Sequence, residues 1–114
     1  MGAYAVTGVA SGIGAELAGI LKARGHTVIG FDKAEAAGVD RFIQMDLDDP
    51  ASIEAAAAEV DTPLDGLCNN AGVPPRKGWE ELILSVNFLG QREFMQAMTP
   101  HLKPGASVVN MASR

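Results

Sequence analysis

Short apolar runs alternate with amphipathic stretches along the chain, and this alternation predicts strands and helices in turn. Residues 3–7 form an apolar run that predicts a buried strand. Apolar side chains at helical spacing over residues 15–24 predict the helix that follows, and Gly25 suits the left-handed position after its last turn. Residues 27–31 predict a second strand. These three elements predict a β-α-β unit, which is right-handed in nearly all proteins.

The same alternation continues to the end of the sequence. Asp49 and Pro50 suit the N-cap and the first position of a helix. Pro104 and Gly105 are expected to break a long helix. The further elements expected are a loop or short helical turn over 33–40, strands over 41–45, 64–69 and 106–111, a helix over 50–60, and a long helix from Trp79 to about Leu102.

Continuous apolar strands separated by helices are typical of parallel sheets that are covered on both faces. The sequence therefore predicts an α/β fold with a Rossmann-type, doubly wound parallel sheet of five strands. No domain linker interrupts residues 1–114, so we expect one domain. The chain stops three residues after the fifth predicted strand. We therefore expect the C-terminal part of the fold to be missing.

Charge and composition exclude several classes of partner. The net charge is −5 and no basic stripe is present, so nucleic acid is not expected as a partner. No apolar run reaches the roughly 18 residues of a membrane span, and no leader is recognised, so we expect a cytoplasmic protein without a membrane partner. Cys68 is the one cysteine, which fits a reducing compartment, and its apolar surroundings favour a structural thiol over a nucleophile.

Three glycines between the first strand and the first helix suggest a phosphate-binding turn. Gly8 permits the tight turn, Gly12 permits close approach of backbone to phosphate, and Gly14 permits the helix to pack closely on the strand. A purely structural turn would use the same residues. The position between strand and helix, with Asp32 ending the next strand, favours nucleotide binding. We therefore expect residues 1–114 to form a dinucleotide-binding domain.

Several motifs follow one another along the chain, namely Thr7-Gly8-x-x-x-Gly12-x-Gly14, Asp46-Leu47, Asn69-Asn70-Ala71-Gly72, Ser85-Val86-Asn87 and the run Val108 to Ser113. In their order and spacing they resemble the short-chain dehydrogenase/reductase family, and specifically its N-terminal cofactor-binding part. The short interval between Gly72 and Asn87 is similar to the bacterial hydroxysteroid dehydrogenase/carbonyl reductase branch.

The resemblance implies a nicotinamide dinucleotide as cofactor, and two residues favour NAD. A carboxylate at Asp32 would accept hydrogen bonds from the ribose hydroxyls and repel a 2′-phosphate. Ser11 stands where relatives that prefer NADP tend to carry a basic residue. Lys33 argues against this preference, because it offers a positive charge nearby. The alternative for Asp32 is a solvated turn residue with no role in cofactor binding. The expected cofactor-binding residues are Gly8, Ser11, Gly12, Ile13, Gly14, Asp32, Asp46, Leu47, Asn70, Ala71 and Gly72.

The resemblance also implies two catalytic residues. Ser113 would hydrogen-bond the oxygen of an alcohol or ketone substrate, and Asn87 would help hold a water that relays protons. A polar residue on an exposed helix face is the alternative for Asn87, and a simple turn is the alternative for residues 70–72. The family also needs a tyrosine and, four residues later, a lysine, a dozen or more positions after Ser113. Tyr4 is the one tyrosine here and lies on no such motif.

Two classes of function remain open. The first is an NAD(H)-dependent oxidoreductase that moves a hydride between nicotinamide and a secondary alcohol or ketone, with this stretch supplying the cofactor site. The second is a non-catalytic dinucleotide-binding module or fragment. No metal site is expected, since His26 and His101 are not at ligand spacing. Relatives commonly associate through the long helix that starts near Trp79, so the resemblance implies a homo-oligomer, a dimer or tetramer.

Overall fold

The computed structural model describes residues 1–72 and 76–111. Within them five strands form one sheet in the order β3-β2-β1-β4-β5, and every pairing is parallel. The chain moves outward from β1 to β3 and then crosses back to β4, so the strand order reverses between β1 and β4. The strands are β1 (Ala3–Thr7), β2 (Thr27–Asp32), β3 (Arg41–Gln44), β4 (Leu64–Asn69) and β5 (Leu102–Asn110).

Helices connect these strands, and the segment between β2 and β3 is a loop without a helix. The Asp49 carboxylate accepts a hydrogen bond from the Ala51 N–H at 3.0 Å, which confirms the predicted N-cap. The helical elements are α1 (Gly12–Ala23), α2 (Pro50–Ala58), α3 (Glu80–Leu84), a π-helical segment (Ser85–Gly90), α4 (Gln91–Met98) and a 3₁₀ turn (Thr99–His101).

Alternate side chains of the strands enter two separate apolar clusters, one on each face of the sheet. On the first face Phe31 packs edge-to-face on Phe94 of α4, with ring centroids 5.1 Å apart, and α2 adds Ile53. On the second face Val6 and Val28 pack against α1. Helices therefore cover both faces, which confirms the predicted Rossmann-type doubly wound sheet.

On the second face α1 lies over β1 and β2, and an apolar groove remains between α1 and the strands β4 and β5. Tyr4 lines this groove, and its ring meets His26 edge-on with centroids 5.0 Å apart. Cys68 also lines it, and burial raises the pKa of its thiol, as expected for a structural thiol. Among the described residues, no helix is long and apolar enough to cross a bilayer.

The last part of the chain differs in part from the prediction. The predicted long helix from Trp79 to about Leu102 is confirmed in extent, since helical turns run without a break from Glu80 to His101. Its middle, Ser85–Gly90, is π-helical and its last turn is a 3₁₀ turn, which the sequence did not indicate. The prediction that β5 starts at 106 is wrong, since Leu102 already pairs with Leu64. The register then shifts, so that Ser107 faces Gly66. This irregularity accommodates Pro104 and Gly105 within the strand.

Smaller differences concern the ends of the other elements. The first helix begins at Gly12 rather than residue 15, so the third glycine of the turn is helical. The second helix ends at Ala58 rather than 60, and β3 ends at Gln44 rather than 45. Helix and strand ends depend on capping and neighbouring contacts, which local periodicity does not encode.

Candidate functional site

The turn from β1 into α1 lies at the carboxyl edge of the sheet, beside the point where strand order reverses. Gly8 and Gly12 adopt φ angles of +76° and +61°, a region that favours glycine. The Gly8 N–H donates to the Phe31 carbonyl at 2.8 Å, which fixes the turn against β2. A Cβ on Gly14 would lie 2.0 Å from the Gly8 oxygen, so only glycine allows α1 to approach this closely.

The first N–H groups of α1 have no acceptor within the helix and carry the positive end of its dipole. Ser11 precedes the helix in an extended conformation, and within the described part of the chain its side chain makes no capping hydrogen bond. Ser11, Gly12 and Ile13 are all exposed, Ile13 by 61%. This combination gives an accessible binding surface for a negatively charged group.

Thr7 joins the ends of the two central strands. Its hydroxyl oxygen accepts hydrogen bonds from the backbone N–H groups of Asn70 and Ala71, each at 2.9 Å, and the residue is 1% exposed. Gly8 also lies close to the same segment, since a Cβ there would be 3.1 Å from the Ala71 backbone. The glycine turn and residues 70–71 therefore form one connected edge of the site.

Asp32 ends β2 and reaches the glycine turn directly. Its Oδ2 accepts a hydrogen bond from the Ala10 N–H at 2.9 Å, and its Oδ1 accepts one from the Ala34 N–H at 3.0 Å. The carboxylate is therefore oriented by two backbone groups. It is only half-buried, and each oxygen has a second lone pair that can accept a hydrogen bond from a ligand hydroxyl group.

A cleft, termed here the acidic cleft, opens between the ends of β2 and β3. Asp32, Asp46 and Asp48 line it together with Lys33 and Leu47. Leu47 is 8% exposed and provides part of an apolar wall, while the carboxylates lie around it. Such a surface suits a flat apolar group that carries hydrogen-bonding edges. The structure thus places the predicted Asp32, Asp46 and Leu47 in one cleft.

A second cleft, termed the amide cleft, lies on the other side of the glycine turn. Asn70, Asn87 and Gln91 line it, together with Gly72 and Ile13. The Gln91 Nε2 donates to the Ala71 carbonyl at 2.6 Å. A Cβ on Gly72 would lie 3.0 Å from the Asn87 Oδ1, so the backbone passes close to this amide.

Asn87 lies in the π-helical segment and is half-buried. A π-helical turn inserts an extra residue into a helix and is frequent at functional sites. Gly90, at the end of the segment, approaches the chain before α2, where an added Cβ would lie 2.2 Å from the Leu47 oxygen. The segment therefore touches the walls of both clefts.

Ser113, the predicted substrate-binding serine, lies outside the described residues. The structure does show how the chain leads toward it. The Met111 N–H donates to the Asn69 carbonyl at 3.0 Å, and the Asn69 Nδ2 donates to the Asn110 Oδ1 at 2.7 Å. The end of β5 is therefore held beside β4 at the carboxyl edge.

Comparison with known proteins identifies the family. A family model described as short chain dehydrogenase matches residues 3–114. The chain belongs to the short chain dehydrogenase family.

Two curated members of the family are similar to most of this chain. Coniferyl-alcohol dehydrogenase from Pseudomonas sp. is 43% identical over 109 residues, which cover 95% of this chain and 42% of that protein. The 3-alpha-hydroxysteroid dehydrogenase/carbonyl reductase from Comamonas testosteroni is 33% identical over 109 residues, which cover 92% and 40%. The second name agrees with the branch that the sequence suggested.

A solved structure supports the same assignment. A short chain dehydrogenase family protein from Francisella tularensis subsp. tularensis SCHU S4 superposes with a TM-score of 0.87 at 27% identity, over 99% of this chain and 51% of that one. The chain thus spans about two fifths of the length of the curated relatives and about half of this structure.

Within this family fold, the predicted residues fall into three adjoining groups at one edge of the sheet. The glycine turn lies in the middle, the acidic cleft on one side and the amide cleft on the other. No group of three His, Cys, Asp or Glu side chains placed to hold a metal ion is found in residues 1–72 and 76–111. The arrangement suits an elongated ligand with a central negative charge.

Three further residues of the site were missed from the sequence. Thr7 was noted only as part of a motif, although a polar residue at the end of an apolar strand could have indicated its role. Gly90 was a usable signal, because glycine inside a helix often marks a close backbone contact. Gln91 gave no signal, since glutamine is common in helices and its bond to Ala71 depends on the tertiary fold.

Proposed function

We propose that this chain forms the cofactor-binding part of an NAD(H)-dependent oxidoreductase that acts on a secondary alcohol and the corresponding ketone. The observation that carries the proposal is the glycine turn, with its two positive φ angles at the start of α1. Family membership supports the reaction class. We further propose that residues 1–114 act as one dinucleotide-binding domain of a cytoplasmic protein.

The residues present fit a pyrophosphate. A Cβ on Gly12 would meet no atom within 4 Å, so the space above this residue is open. The N–H groups that follow are at the helix N-terminus, where a phosphate is favoured by both hydrogen bonds and the dipole. A side chain in that space would keep phosphate oxygens away from these groups.

On this proposal the two halves of NAD lie in the two clefts. The Asp32 carboxylate accepts hydrogen bonds from the adenosine ribose hydroxyls, and Asp46 and Leu47 contact the adenine. Asn70, Ala71 and Gly72 line the cleft beside the nicotinamide ribose. When bound, NAD accepts a hydride from an alcohol, and NADH returns one to a ketone.

The chain's own residues would orient the substrate and move protons. Ser113 hydrogen-bonds the substrate oxygen, and Asn87 holds a water in the amide cleft. Gln91 supports this arrangement, because its bond to the Ala71 carbonyl ties the helix carrying Asn87 to the cleft wall. These roles are those that family membership implies for matching positions.

The test compares Gly12→Ala with Gly105→Ala in the full-length protein, by calorimetric titration with NAD. Both glycines have positive φ, +61° and +81°, and neither added Cβ would meet an atom within 4 Å. Each variant therefore carries a similar backbone strain, of about 1–2 kcal/mol. Gly105 lies near the start of β5, away from the carboxyl edge.

We expect Gly12→Ala to weaken NAD binding by about tenfold to a hundredfold, since charge-assisted hydrogen bonds to the phosphates are lost. Gly105→Ala should bind NAD as the wild type does. Equal NAD affinity in both variants would refute the proposed site. The substrate class is then examined by NAD-coupled assays that include coniferyl alcohol and a 3α-hydroxysteroid, which the names of the relatives suggest.

We also propose that the full-length protein is a homo-oligomer that associates through the helix from α3 to α4. Three large apolar side chains, Leu84, Phe88 and Leu89, are exposed there by 56%, 56% and 45%. A cluster of this kind on a polar surface is typical of an interface. Phe88→Asp should shift the mass in solution toward the monomer, as measured by analytical ultracentrifugation.

A further inference from the structure

Lys33 directly follows Asp32 at the rim of the acidic cleft, where a positive charge would favour the 2′-phosphate of NADP. Among the described residues that line this cleft, Lys33 is the one cation, against the carboxylates of Asp32, Asp46 and Asp48. We propose that Asp46 strengthens the preference for NAD by holding the Lys33 ammonium. This inference rests on the proposed cofactor site.

The peptide groups before and after Lys33 are both hydrogen-bonded. The Met45 N–H donates to the Asp32 carbonyl at 2.9 Å, which fixes the first of them. The Gln44 Nε2 donates to the Lys33 carbonyl at 3.1 Å, and the next residue, Ala34, donates its N–H to Asp32 Oδ1 at 3.0 Å. The side chain remains 78% exposed, so it can point in different directions. The backbone of Lys33 therefore has a fixed position beside Asp32. The direction of its ammonium group depends on the negative charges nearby.

Asp46 is the fixed member of the pair. Its backbone N–H donates to the Ser52 Oγ at 2.9 Å, and its Oδ1 accepts the Asp48 N–H at 2.9 Å. The other oxygen, Oδ2, lies 3.7 Å from the Lys33 Nζ. The carboxylate thus offers one oxygen to the lysine from a position set by two hydrogen bonds.

A 2′-phosphate bound next to Asp32 needs a counter-charge, because Asp32 itself repels it. Among the described residues that line the cleft, Lys33 is the cation that could supply this charge, and Asp46 competes for it. Asp46 also adds its own negative charge to the same cleft. Both effects disfavour NADP, whereas NAD carries a 2′-hydroxyl that is insensitive to them.

The test measures NAD and NADP affinities of the full-length protein and of Asp46→Asn at low ionic strength. Asparagine keeps the shape and an oxygen that can accept the Asp48 N–H. We expect NADP to bind about threefold to fivefold more tightly relative to NAD, in line with the strength of exposed ion pairs. This gain should disappear in about 1 M salt, where the Debye length falls to about 3 Å.

Two further variants separate the causes. In the Lys33→Met background, adding Asp46→Asn should raise the NADP affinity relative to the NAD affinity by less than Asp46→Asn does in the wild type, because the counter-charge is gone. Asp61→Asn is the matched control: it removes one carboxylate that is 83% exposed and paired with Arg41 at 3.6 Å, outside both clefts. It should leave the ratio of the two affinities unchanged.

The outcomes are distinguishable. If the wild type binds neither dinucleotide, the proposed function fails and this inference with it. If NAD binds but Asp46→Asn leaves the affinity ratio unchanged, the inference alone is wrong. An equal gain in Asp61→Asn, or a gain that persists in salt, would also overturn it, since either would exclude a local effect on Lys33.

Discussion

The first β-α-β unit and the stretch from Glu80 to Asn110 both pack helical turns against strands of the same sheet, but they differ in how regular these elements are. The first unit has regular strands, one α-helix and a turn whose shape glycine dictates. The second combines α-, π- and 3₁₀-helical turns with a strand whose register shifts. Both end at the same edge of the sheet, and both contribute to the candidate site.

The difference follows from what each region must contact. In the first unit the close contacts join neighbouring elements, such as the Gly8 N–H and the Phe31 carbonyl. In the second, Gly90 and Gln91 meet the backbone of Leu47 and Ala71, which are distant in sequence. The helix and strands stay regular where their contacts are local. The helical geometry changes where one helical stretch contacts two loops at once, those of Leu47 and Ala71.

The largest expected effect comes from Gly14→Ala and Gly90→Ala, one in each region. The added Cβ would lie 2.0 Å from the Gly8 oxygen in the first variant and 2.2 Å from the Leu47 oxygen in the second. Both are backbone atoms, so the clash requires the helix to move. We expect each change to lower the free energy of unfolding by about 3 kcal/mol, measured by urea denaturation.

Gly19→Ala is the control for these variants, because Gly19 lies in α1 and its added Cβ would meet nothing within 4 Å. It should raise the free energy of unfolding by about 0.5–1 kcal/mol, the usual gain of alanine over glycine in a helix. If Gly90→Ala were as stable as Gly19→Ala, the close contact between the π-helical segment and Leu47 would be contradicted.

The sequence predicted the first region better than the second for the same reason. The bounds of β1 in the first region were predicted correctly, as were those of β4 between the two regions, since an apolar run between turn residues marks a buried strand. The π-helical segment has the same apolar spacing as an α-helix, so periodicity did not reveal it. Leu102 looked helical because its pairing with Leu64 is a long-range contact.

The residues of the candidate site also divide into those that local sequence predicts and those that depend on long-range contacts. Gly8, Gly12 and Gly14 were recognised because their chemistry is local to one turn. The contact of Gln91 with Ala71 was not recognised, because it depends on how a helix packs across the sheet. Motif resemblance supplied Asn87, whose place in the amide cleft no local pattern would have given.

Thr7 connects the two halves of the site, and its replacement should have the next largest effect. In Thr7→Val the N–H groups of Asn70 and Ala71 lose their acceptor in a buried environment. We expect the free energy of unfolding to fall by about 2 kcal/mol or more, because unsatisfied buried groups are costly. Thr7→Ser keeps the hydroxyl and should lose much less. Equal losses in both variants would indicate that the methyl group matters as much as the hydroxyl, which would contradict the expected dominance of the hydrogen bonds.

The smallest expected effect is a pH dependence that compares two carboxylates, Asp40, which is bonded to the first region, and Asp65, which is bonded to both regions. Hydrogen bonding by the Lys22 side chain and the Val28 N–H lowers the pKa of Asp40. The Ala3 N–H and then Lys103 lower the pKa of Asp65. A lowered folded-state pKa means that the unfolded chain binds more protons over the acid range.

The stabilisation from each group is therefore complete above its unfolded pKa and is lost as the pH falls through its folded pKa. Asp40→Asn and Asp65→Asn should each lower stability near neutral pH and flatten the acid part of the stability curve, as measured by urea denaturation across pH. Asp65 accepts hydrogen bonds from the first residue of β1 and from Lys103 of β5, so its substitution also tests whether this link between the two regions is stabilising. An acid slope as steep in both variants as in the wild type would assign the pH dependence to other carboxylates.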